Sequence, residues 1–157
     1  MRIAFVLPLL LLVAAKDKPR PKPTPTPTPL PASIDGLPIG ALPRQSLPAR
    51  GCAAYLWSAG VTKVLIAMAG ADPAQLRLSL NGKITDLPRT AQRGGGLFGL
   101  SETNEYAAGG ITAVLDLSIT TRGDVTRGAL VPQGTLRLDQ PGADSVVVPL
   151  GGLIGCA

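Results

Sequence analysis

The side chains best placed to do chemistry are carboxylates. Glu102 and Glu105 stand three apart in the longest stretch without hydrophobic periodicity, Pro88 to Gly110. Paired carboxylates can serve as acid, base or nucleophile in glycoside hydrolysis. Acidic residues in a loop also serve simply to keep it solvated. Histidine is absent from all 157 residues, which excludes Ser-His-Asp and Cys-His catalysis. A Ser–Lys dyad needs a buried, neutral lysine. Downstream of residue 50 the only lysines are Lys63, which opens an apolar run, and Lys83, which follows a turn and should be solvated. Cys52 and Cys156, the only cysteines, supply half of a zinc shell. No metal site, no cofactor and no enzymatic activity are expected.

Two short patterns match known motifs by letter. Gly94, Gly96 and Gly99 spell G-x-G-x-x-G, but no βαβ unit surrounds them, so they read as a flexible loop. Arg122-Gly123-Asp124 matches a cell-adhesion tripeptide, yet Gly-Asp after a strand is ordinary turn chemistry.

The elements that must position these residues divide the chain into three. Residues 1–15 read as a secretory signal peptide, with Arg2 as the charged start, an apolar run Ile3–Leu12 and Val13-Ala14-Ala15 at the cleavage site. The run is shorter than the roughly 20 residues of a spanning helix. An uncleaved anchor is the alternative. The mature chain is expected to be periplasmic or secreted, without a transmembrane span.

Residues 16–50 read as a proline-rich tether. Every second residue from Pro19 to Pro31 is proline. Proline fixes its own φ and pushes the residue before it out of the α region, so strict X-Pro alternation favours polyproline II. Ile34, Leu37, Ile39, Leu42 and Leu47 make the second half apolar enough to lie on the domain surface. Residues 16–49 carry five Lys/Arg (including Lys16, Lys18, Arg20 and Lys22) against two Asp, and residues 50–157 carry nine against eight Asp/Glu. A basic, stiff segment can contact anionic phospholipid or lipopolysaccharide; solubility and spacing are the plainer reading. The domain shows no basic patch interleaved with aromatics, so no nucleic acid is expected as partner.

Residues 51–157 read as one all-β domain, a small antiparallel barrel or sandwich. Leu76, Leu78 and Leu80 alternate ahead of Asn81-Gly82, the pair a type I′ hairpin turn demands, and Lys83 to Leu87 returns. Ile111 to Thr120 is a strand with one buried and one wet face. Cys52 to Trp57 reads as a strand or the opening of a short helix. Lys63–Ala69, Ala129–Val131, Thr135–Leu138 and Ser145–Leu150 supply further strands, with a break, bulge or edge near Pro132 and Gly134. Aromatics are few, so Trp57, Tyr55 and Phe98 are expected to fill much of the core. In an exported protein Cys52 and Cys156 have one intramolecular pairing, a disulfide closing the domain.

Residues 89–106 are the candidate partner-binding loop, with Arg89, Arg93, Phe98, Glu102, Glu105 and Tyr106 as its contact residues. Loops this long are usually functional or disordered. The order of Cys52, the Leu76–Leu87 hairpin, Tyr106 and Cys156 resembles periplasmic β-barrel inhibitors of C-type lysozyme. That resemblance implies a small exported barrel and an inhibitory loop. The family's Ser-Gly-x-x-Tyr is replaced here by Ser101-Glu-Thr-Asn-Glu ahead of Tyr106. The expected function is a non-enzymatic envelope protein, a tethered β-domain that binds a protein or cell-envelope component. The alternatives are a lysozyme-inhibitor-like protein and a structural or stress-related module without a dedicated site.

Overall fold

Asn81 and Gly82 take φ values of 48° and 80°, as a type I′ turn requires. The turn sends the chain straight back on itself, and the same up-and-down step then repeats around the molecule. The computed structural model describes residues 28–157. The expected signal peptide and tether residues 16–27, with Lys16, Lys18, Arg20 and Lys22, lie outside the described residues.

Among the described residues nine strands follow in order: β1 (Ile39–Gly40), β2 (Cys52–Ser58), β3 (Leu65–Ala71), β4 (Ala74–Leu80), β5 (Lys83–Leu97), β6 (Leu100–Ala108), β7 (Ile111–Thr120), β8 (Gly128–Asp139) and β9 (Val146–Cys156). Strands β2 to β9 each pair antiparallel with the next, and β9 pairs with β2. The result is a closed eight-stranded barrel, not a sandwich. Cys52 to Trp57 is strand rather than helix. The expected break in the seventh wall strand is a bulge, where the β8–β9 register shifts between Val131 and Gly134.

Period-two alternation sends one side chain in two to the interior. Leu76, Leu78, Leu80, Leu87, Ala113, Leu115, Leu117, Leu136, Leu138, Val148 and Leu150 form the core with Leu56 and Ile66. Tyr106 is the bulkiest side chain fully inside. The aromatic expectation is corrected here. Leu56 points inward, so its neighbour Trp57 points out and is 38% exposed. Tyr55 also faces outward, covered by the chain before β2, and its hydroxyl donates to the Ser46 carbonyl at 2.7 Å.

That covering segment is the second half of the tether. Ile34 and Ile39 are buried with the core. β1 pairs Ile39 with Leu80 and Gly40 with Ser79, continuing the β4 ladder where β3, whose last partner is Leu78, has ended. Ala41 and Leu42 are buried as well, and the Leu42 amide donates to the Leu65 carbonyl at 2.7 Å. Cover on the outer side explains why β2 and β3 bury both faces with small residues such as Ala53, Ala54, Ala67 and Ala69. The ordered fold therefore begins well ahead of residue 51. The apolar residues among the prolines account for this, because they gain by leaving water.

The seam between first and last wall strands carries the disulfide. Cys52 and Cys156 are direct cross-strand partners with Cα atoms 4.0 Å apart. The bond closes a sequence separation of 104 residues, for which the chain-entropy account gives about 4–5 kcal/mol. Replacing both cysteines by serine should lower the unfolding free energy by about that amount in denaturant titration; an unchanged midpoint would show the seam does not need the bond. Ile39→Ala should cost about 2–5 kcal/mol. A change below the error of the same titration would mean that the covering segment does not pack on the barrel.

Candidate functional site

The stretch Pro88–Gly110 is not a loop. It holds most of β5 and all of β6, a long hairpin with the two-residue turn Phe98-Gly99 at its tip, both at positive φ (59° and 77°). Its polar sequence hid the pairing, since neither face of the outer part is uniformly buried.

This arm is sharply bent. Arg89 Nη1 donates to the Gly99 carbonyl at 2.9 Å and Gln92 Nε2 donates to it at 3.2 Å. A straight strand would carry the chain roughly 26 Å from Arg89 to Leu97, several times the length of an arginine side chain. The tip must double back. Two bulges in the β5–β6 register, at Arg89/Ala91 and at Arg93/Gly96, supply the bend. Asn104, fully buried, holds it. Its Nδ2 donates to the Ser101 carbonyl at 2.7 Å, and its Oδ1 accepts from the Ser101 amide at 3.1 Å and from Gln92 Nε2 at 2.9 Å. The tip rests on the β3–β4 corner, since a side-chain carbon added to Gly99 would sit 2.7 Å from Ala71 Cβ. Leu100 is buried and Phe98 packs against the core.

Bending the arm pulls it from its neighbour. Pairing of β6 with β7 ends at Thr103 opposite Asp116, while β7 continues to Thr120 along β8. The β6-facing edge of Leu117–Thr120 thus has no strand partner among the described residues. Along this gap runs an open groove of about 890 Å³. The arm contributes Gly95, Gly96, Leu97, Glu102 and Thr103. The opposite side includes Asp116, Leu117, Ser118, Ile119, Gln133 and Thr135, with Pro149 and Ala59 at the far rim. Glycine at 94 and 95 leaves room for the Glu102 side chain, which a Cβ on Gly94 would strike.

No lysine or arginine lines the groove. Among the described residues Asp72, Asp86, Glu105, Asp124 and Asp139 each face an arginine, and Glu102 and Asp116 do not. Asp116 Oδ1 accepts from Thr103 Oγ1 at 2.6 Å. The groove is therefore open, and it sets two acidic side chains in a largely apolar lining of Leu97, Leu117, Ile119, Pro132, Pro149 and Leu150.

Of the six contact residues expected from the sequence, the groove takes one, Glu102. Glu105 pairs with Arg93, so Glu102 and Glu105 do not act as a pair in the groove. Arg89 is spent on the Gly99 carbonyl and Phe98 on the turn. Tyr106 is 1% exposed and is a core residue rather than a contact residue. Lys63 and Lys83 are exposed, and the Ser58 hydroxyl bonds to the Thr62 carbonyl instead of a lysine. Arg122 closes on its own Asp124 through two 3.1 Å contacts. Asp116, Ser118 and Thr103 were not singled out in the sequence. The wet face of Ile111–Thr120 contains the first two, but nothing in the spacing tells where β6 leaves β7.

No protein-family model matches the chain, and neither a curated protein nor a solved structure matches it. Its own residues are what bear on the groove's purpose.

The Tyr106 hydroxyl is buried without a hydrogen-bond partner. Burial pushes its pKa up to about 12, against a small lowering by the Arg89 charge. The folded chain thus keeps a proton that the unfolded chain releases near pH 10. The stability this contributes is complete below about pH 10 and is lost as pH rises through about 12. Tyr106→Phe should flatten that alkaline decline and cost less than about 1 kcal/mol at neutral pH, since no bond is broken. Absorbance titration of the wild type showing both tyrosines ionising at the ordinary value would contradict the burial.

Proposed function

We propose that this protein is an exported, non-enzymatic binding module whose groove takes an extended, cationic peptide segment of an envelope or secreted partner. The observation that carries the reading is the departure of β6 from β7 after Thr103 and Asp116. It leaves a strand edge open beside two carboxylates that lack a basic partner. Unpaired backbone amides and carbonyls on a strand edge are a template for one more strand. Main-chain pairing would supply affinity, and Glu102 and Asp116 would select for lysine or arginine side chains. The cross-strand disulfide fits an oxidising compartment, and among the described residues no helix is long and apolar enough to cross a membrane.

A fluorescein-labelled peptide of alternating lysine and valine tests the reading by anisotropy. Binding should weaken as salt rises, because the charges meet at the surface. Glu102→Gln with Asp116→Asn should weaken it about tenfold, or about 1.4 kcal/mol, with unchanged circular dichroism. Equal binding by wild type and the double variant, or none by either, rejects the groove as a peptide site.

A further inference from the structure

We infer that the groove's resident occupant is the chain's own basic proline-rich segment, Lys18 to Pro27, laid in cis along the open edge of β7. This rests on the groove being a site for extended peptide and names a basic peptide that the chain itself carries.

Four observations converge. The first is charge: the segment carries Lys18, Arg20 and Lys22, and the groove carries Glu102 and Asp116 with no cation.

The second is position. The described chain starts at residue 28; Pro31 and Ala32 lie against Gly40, Ala41 and Gly82 at the β4–β5 hairpin, and the chain then crosses to the β2–β3 connection, where Asp35 accepts from Thr62 Oγ1 at 2.8 Å and lies against Gly60. Gly60 follows Ala59, which lines the rim of the groove and whose amide donates to the Pro149 carbonyl at 2.9 Å.

The third is length. Drawn out as a strand to pair with β7, the nine residues from Pro19 to Pro27 cover roughly 30 Å at about 3.3 Å each, and the open edge Leu117–Thr120 needs roughly 13 Å.

The fourth is hydrogen bonding. In an extended chain the N–H and C=O of successive residues point to opposite sides. Strict X-Pro alternation therefore puts Arg20, Lys22, Thr24 and Thr26, with all the donors, on one side. The prolines, with none, take the other. Such a strand can pair with one edge and offers no donor to a second chain. It would cap the open edge of β7 without starting a larger sheet.

An external partner must then displace the tether, so the groove's affinity would be set in part by the protein itself.

Carbodiimide treatment of the full chain at low concentration, followed by peptide mapping, decides this. It joins amines to carboxylates in contact. The expected result is links from Lys18 or Lys22 to Glu102 or Asp116 within a monomer, with yield independent of protein concentration. Thr24→Pro with Thr26→Pro removes backbone donors but no charge, and should abolish these links. Links spread evenly over exposed carboxylates such as Asp124 and Asp144 would overturn the proposal. So would links only between copies, or links that survive the proline variant. If the labelled peptide binds the groove while no such links form, self-capping fails and the groove remains a peptide site. If neither occurs, both readings fail together.

Discussion

Closure of the sheet on itself is the constraint from which the rest follows. A meander of eight strands has two ends, and here the ends are β2 and β9. They pair over seven residues of β2, from Cys52 opposite Cys156 to Ser58 opposite Leu150. The approach is close enough that a Cβ at Gly152 would strike the Tyr55 carbonyl. That explains why glycines gather opposite the Tyr55 stretch. A disulfide at the mouth of this seam limits the freedom of the unfolded chain most where closure requires its distant ends to meet. With few large aromatics in the core, the barrel depends on closure and on the Ile34–Leu42 cover more than on bulk.

Closure also singles out the β5–β6 arm, where the wall departs furthest from regular pairing. A barrel wall needs each strand to follow its neighbours, but β5 is 15 residues long while β4 is 7. The excess has no partner on the β4 side. Left straight it would stand in solvent with polar backbone on a bare edge. Folding the tip over to Ala71, with Asn104 and Arg89 satisfying the bent backbone, buries Leu100 and part of Phe98 instead. The same movement exposes the edge of β7. Groove and folded tip are two results of one bend, which places Glu102 and Asp116 on opposite sides of a gap that sequence neighbours alone would not create.

Several parts of this were legible from residues. Asn81-Gly82 announced its hairpin, the alternation from Ile111 to Thr120 announced both faces of β7, and Pro132 with Gly134 announced the bulge in β8. The disulfide followed from having two cysteines in a chain whose first residues read as a secretory signal. What escaped was whatever depends on contacts between distant segments. Ile34 and Ile39 read as residues that lie on the domain surface, but not as part of its core and sheet, because the strand partner of Ile39, Leu80, lies some forty residues on. Trp57 looked like core because it is large, yet the pleat puts Leu56 inside. Ser101-Glu-Thr-Asn-Glu carries no apolar period, so β6 was invisible. Its bend is made by Asn104 returning to Ser101, a local bond with no signature distinct from an ordinary polar turn.

The bend that carries residues 97–102 of the arm away from β7, with pairing only from Thr103 onward, is the feature on which the groove depends. Nuclear Overhauser contacts in isotopically labelled protein measure this directly. The account predicts contacts of Gly99 with Ala71 and of Thr103 with Asp116, and none between Ser101 and Ser118, the residues that would face each other if β6 stayed on β7. A strong Ser101–Ser118 contact without one from Gly99 to Ala71 would mean a straight arm, a paired β7 edge and no groove.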